Sequence, residues 1–199
     1  MMEGLIFIWS SWLLILVFFF FFYKKIPHLF TILLLCLLFM SQFTIKAGSM
    51  PINMGAIGVI LIACVYMSSL RWKDQFWVGI SSFTIALCLG SYEFFSSMEP
   101  IGFLWLPDWS VYGIIVLLSI LLMKSKGQRI IALTMGMVIH DLLFLIIYFR
   151  FGILYPILSL AWLDHLAIVT LFHIGFSALQ MITIGYLTNN KVIQHKKEV

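Results

Sequence analysis

The 199-residue chain is 63% hydrophobic and 10% charged, with a mean hydropathy of +1.10, where an ordinary soluble domain carries about 25% charged residues. Such a chain cannot hide its apolar surface in a water-soluble globule. Its formal charge of +4 comes from a few short basic clusters.

A hydrocarbon core about 30 Å thick takes about 20 helical residues to cross, and seven apolar runs of that order follow one another along the chain. They cover residues 5–23, 27–45, 52–70, 76–95, 107–123, 130–149 and 166–187. The runs are continuous rather than alternating, and helices satisfy their own backbone hydrogen bonds, as hydrocarbon demands. This predicts an all-α, polytopic transmembrane helix bundle forming a single integral membrane domain. The first run lacks a basic n-region and a small-residue cleavage motif, and "KK" follows it directly, so it reads as a retained helix. The fifth, "PDWSVYGIIVLLSILLM", needs Pro107 as its first helical residue and leaves Asp108 at the interface; without it the bundle has six spans.

Seven spans put the two termini on opposite sides. One side then receives Lys24, Lys25, Arg71, Lys73, Lys124, Lys126, Arg129, Lys191, Lys196 and Lys197, and the other only Lys46 and Arg150, ten against two of the twelve basic residues. By the positive-inside rule the N-terminus faces outward and the C-terminus, with a short basic tail at 188–199, faces the cytoplasm. The clusters read as topology determinants touching anionic lipid, not as a nucleic-acid surface. Trp9, Trp12, Trp105, Trp109 and Trp162 fall near the outer boundary and Trp72 and Trp77 near the inner one, the headgroup levels that indoles prefer. Two outer connections, "SSMEPIGFLWL" and "FGILYPILSLAWLD", are too apolar for solvated loops and are expected to lie in the interface.

Cys36, Cys64 and Cys88 stand singly in three spans, without the spacing of a disulfide framework or a zinc knuckle. No lysine lies inside a span, which removes the attachment point of a retinal pigment. No phosphate loop, H-E-x-x-H or G-x-S-x-G is present, and no cofactor is implied. Gly55, Gly58, Gly136 and Gly175 read as places where helices approach closely.

Chemistry concentrates in the last two spans. "MGMVIHDLLFLIIYFR" sets His140 and Asp141 in the middle of an apolar run, where an ionisable residue is costly and is a functional candidate by default. Thr134, Asp141 and Tyr148 recur every seven residues, and His165, His173, Ser177 and Gln180 share a stripe on the next helix; aligned polar groups should point into the bundle. With the last helix beginning at residue 166, Asp141 and His173 sit at similar depths and can meet. His140, Asp141, His173 and Gln180 are therefore the candidate intramembrane site, and Glu93, Asp164 and His165 a candidate acidic outer vestibule. Three uses stay open: transport or sensing of a proton or small solute, a polar contact that only fixes helix register in a structural or interaction protein, and metal-dependent hydrolysis. The last has an analogue in the seven-helix alkaline-ceramidase-like hydrolases, but His165 and His173 stand eight apart rather than as a close H-x-x-x-H pair. The lipid bilayer is the one partner the sequence names.

The opening "MEGLIFIWSSW", the length near 200 residues and the seven-helix layout with a basic tail resemble the YphA-type membrane proteins of spore-forming bacteria. The resemblance covers the whole chain. It implies an integral plasma-membrane location and supplies no catalytic residues.

Overall fold

The computed structural model describes residues 3–21, 28–47, 50–98, 108–153 and 155–197. Lys24, Lys25, Trp105 and Pro107, which entered the topology argument, lie outside them. The described residues form α1 (Leu5–Phe21), α2 (His28–Met40), β1 (Thr44–Ala47), β2 (Met50–Asn53), α3 (Met54–Ser68), α4 (Trp72–Met98), α5 (Asp108–Leu122), α6 (Lys126–Arg150) and α7 (Leu160–Lys197).

The helices follow the seven apolar runs, with three departures. Between α2 and α3 the chain forms an antiparallel hairpin, pairing Thr44 with Asn53 and Ile45 with Ile52. Pro51 cannot donate within a helix and disfavours helical geometry in the residue before it, and Thr44 and Ile45 are β-branched and suit a strand. Asn53 then starts α3: its side chain accepts from the Gly55 amide at 2.8 Å and donates to the Ser41 carbonyl at 2.8 Å. Second, α7 begins six residues before the predicted span, because Ser159 accepts from the Trp162 amide at 3.3 Å as an N-cap. Third, α7 runs on to Lys197, so the basic tail is helical as far as that residue.

The connections gather at two ends of the bundle. The hairpin, the start of α1 and the α6–α7 connection share one, called here the hairpin end; the α3–α4 and α5–α6 turns share the other, the basic end. At the hairpin end α6 stops where Gly152, at φ +69°, reverses the chain. There the Gly152 amide donates to Phe149 and the Ile153 amide to Tyr148, the paired bonds of a Schellman cap that favours glycine in the left-handed region. At the basic end the buried Arg129 guanidinium donates to the Met123 carbonyl at 2.7 Å and the Lys124 carbonyl at 3.3 Å. It satisfies the orphan carbonyls that end α5 and opposes the negative end of that helix. Gln75 does similar service for α3, donating to the Met67 and Leu70 carbonyls.

The most extensive contact is between α4 and α6. A Cβ on Gly136 would sit 2.8 Å from Ile85 and 3.0 Å from the Ser82 carbonyl, so glycine there sets how closely the two backbones approach. Gly58 likewise meets Leu37 of α2, whereas Gly175 has nothing near it. Leucine, isoleucine and phenylalanine line the outer faces, as at Leu61, Leu121, Phe149 and Ile182, while Ser82, Ser119, Thr134, His140, Asp141, Asp164 and His173 are buried. The hydroxyls of Ser82, Ser119 and Thr134 donate to carbonyls one turn back, which lets them sit inside without unmet donors. Apolar outside and polar within is the arrangement that lipid, not water, rewards. Among the described residues, Trp72–Ser96, Lys126–Arg150 and Leu160–Thr183 are long and apolar enough to cross a membrane; the other four helices are apolar but shorter.

Candidate functional site

His140 and Asp141, one position apart on α6, are both buried. Successive helical side chains diverge, yet here each is drawn to the same space. His140 Nδ1 lies 3.4 Å from Asp141 Oδ1, and His140 Nε2 lies 3.0 Å from Glu93 Oε2 on α4. The second contact is off the line of a straight hydrogen bond, so proximity of charge, not an in-line bond, joins the pair. Gly90 of α4 lies beside this pair: a Cβ there would press on Phe144 at 3.3 Å and meet His140 at 3.8 Å, an ordinary contact.

Asp141 also holds the α6–α7 connection. Its Oδ2 accepts from the Leu158 amide at 3.2 Å, and the Leu158 carbonyl accepts from the Asn53 amide at 3.1 Å. Leu158 sits at φ +49°, a conformation that costs a leucine about 1–2 kcal/mol. The strain is placed where one residue ties carboxylate, connection and hairpin together.

These groups open onto a cavity of about 340 Å³ at the hairpin end. Glu93, His140, Asp141 and His165 line it, with Tyr112, Tyr155 and Trp162 among the aromatic residues of the wall. Tyr155 stacks on Tyr148, rings 5.2 Å apart and 11° from parallel, and Tyr112 lies 5.4 Å from the His165 ring. Burial, followed by the charges of Asp141 and Glu93, pushes the Tyr155 phenol above its ordinary range, so it stays a neutral hydroxyl. The Trp162 indole N–H is buried and has no hydrogen-bond partner among the described residues.

The intramembrane group and outer vestibule expected from sequence are thus partly merged. Glu93 and His165 share the cavity with His140 and Asp141. Asp164 does not line it: both its oxygens accept from the start of α1, Oδ2 from the Gly4 amide at 2.7 Å and Oδ1 from the Phe7 amide at 2.8 Å. It is a capping carboxylate supplied across the fold. His173 lies elsewhere. Asp141 is nine residues from the end of α6 and His173 thirteen from the start of α7, about 13 and 20 Å along their axes, and the charges that act on His173 are those of Arg129 and Lys126 at the basic end. The expectation that Asp141 and His173 meet fails because α7 starts at Leu160 rather than residue 166. Gln180, half-buried, lies further along the same helix and outside the cavity.

Neither Trp162 nor Tyr155 was among the candidate site residues read from sequence. Trp162, expected at the headgroup level, is turned inward and 4% exposed. The signal for both was the apolar character of "FGILYPILSLAWLD", which marks a connection with something to cover. Among the described residues, no three of His, Cys, Asp and Glu converge as a set able to hold a metal ion, so the hydrolase alternative gains no support.

Fold and site together define a helical integral membrane protein with an ionisable cavity near one end of its bundle. The YphA-like integral membrane protein family model matches residues 3–199, and the chain belongs to that family. No curated protein and no solved structure matches it.

Proposed function

We propose that the protein binds a proton or a small solute at the Glu93–His140–Asp141 chain, as a step in transport or sensing across the bacterial plasma membrane. The observation that carries this is an imidazole placed between two carboxylates at 3.0 and 3.4 Å on the wall of an open cavity. A contact that only fixed register would need neither the second carboxylate nor the space. The groups facing the chain are Tyr112 from α5, Tyr148 and Phe144 from α6, Tyr155 from the connection, and His165 from α7. Of these only the His165 imidazole belongs to a residue type that ordinarily changes charge near neutral pH.

In this reading all seven helices cross, with the hairpin end outward and the basic end cytoplasmic. The alternation of the described connections between two ends and the ten-to-two division of basic residues support it. In a chain freed of Cys36, Cys64 and Cys88, a cysteine at Lys46 should react with a membrane-impermeant thiol reagent in intact cells and one at Ser125 should not; the reverse pattern contradicts the orientation.

The site itself is tested by the pH dependence of thermal unfolding. Wild type should show a response between about pH 5 and 8 that Glu93→Gln and Asp141→Asn each change. Identical profiles in all three would assign the chain to a register-fixing contact.

A further inference from the structure

The cavity has features that select among ligands. Glu93 and Asp141 face it with the His140 imidazole between them, two carboxyl groups to one imidazole. The Glu93 side chain is 40% exposed and reachable from the mouth. Around the carboxylates the wall presents the rings of Tyr92, Tyr112, Tyr155 and Trp162. Trp162 is 4% exposed with an unpartnered indole N–H, and a buried donor without a partner favours any ligand that brings an acceptor.

We infer that this cavity binds a small organic cation, an alkylammonium carrying a hydroxyl or similar acceptor oxygen. The inference rests on the ligand-binding reading of the same site. An anion is repelled by the carboxylates, and a neutral solute leaves their charge uncompensated. A bare metal ion finds no converging ligand set among the described residues and makes little use of 340 Å³, a volume at the lower end of the about 300–1,000 Å³ of small-molecule sites. An alkylammonium uses every part: its charge meets Glu93 and Asp141, its apolar shell meets ring faces that attract cations, and its oxygen accepts from Trp162.

Choline and its neutral carbon isostere, in which carbon replaces the nitrogen, separate charge from shape. With the purified full-length chain in nanodiscs, choline should raise the thermal unfolding temperature and change tryptophan fluorescence saturably, and the isostere should do neither at the same concentrations. Glu93→Gln should weaken choline binding about tenfold or more, and Tyr155→Leu about fivefold, while Tyr155→Phe stays near wild type. The Tyr155 pair keeps the test usable if Glu93→Gln does not fold. Equal responses to choline and isostere, or a choline response indifferent to Glu93→Gln and Tyr155→Leu, would overturn the inference. So would no response to choline; if the pH response of Glu93 and Asp141 survives in that case, the proton-binding reading stands without it, and if that response is also missing both fall.

Discussion

Two buried aspartates near the hairpin end have opposite surroundings. Asp164 on α7 has both oxygens occupied by backbone amides of α1, and nothing is left over for a ligand. Asp141 on α6 has one oxygen on the Leu158 amide and the other toward His140 and the cavity. Burial of a carboxylate in a membrane protein therefore does not by itself mark a site. What distinguishes Asp141 is hydrogen-bonding capacity left unused nearby, at His140 Nε2 and the Trp162 indole N–H, on the wall of an open cavity.

The contrast is broken most severely at Asp164. Asp164→Ala removes two charge-assisted bonds and strands the Gly4 and Phe7 amides, and should cost on the order of 3 kcal/mol, seen as a lower thermal unfolding temperature and proteolytic release of α1. Arg129→Leu, which uncaps α5 at the opposite end, should cost about 1–2 kcal/mol in the same assay and leave choline binding unchanged. Asp141→Asn keeps an acceptor for the Leu158 amide, so its effect on stability should stay within about 1 kcal/mol while the pH response is lost. A larger stability loss with the response intact would place Asp141 in the same structural role as Asp164. Smallest is Leu158→Gly, where relief of the left-handed backbone offsets lost packing and the net change should lie within about 1 kcal/mol of zero. A loss well beyond that would locate the stabilisation in the leucine side chain rather than in the backbone tie it carries.

The helices were legible because lipid demands long apolar runs, and the inward stripe of α6 was legible because Thr134 and Asp141 repeat at helical spacing; both are buried. The hairpin was not, since its strands lie at the edges of apolar runs and only Pro51 hints at a break. Nor could Asp164 be separated from Asp141 by sequence: its partners at Gly4 and Phe7 are 160 and 157 positions away. His173 was misplaced by a helix start hidden in "ILSLAWLD", where Ser159 caps a turn that reads as interfacial loop. Glu93 was read as part of a vestibule, and its contact with His140 depends on the packing of α4 against α6, a tertiary fact that hydropathy does not carry.

The most direct measurement is histidine-selective nitrogen NMR of the purified protein across pH, with the His140 signal among the five histidines identified by its loss in His140→Gln. If the imidazole links two carboxylates in an accessible cavity, the His140 resonance should titrate reversibly. Its midpoint should move in Glu93→Gln and in Asp141→Asn, and stay in place in Asp164→Asn. A His140 signal that does not titrate, or one that ignores Glu93→Gln while responding to Asp164→Asn, would contradict the ionisable cavity and return His140 to the packing of the α4–α6 interface.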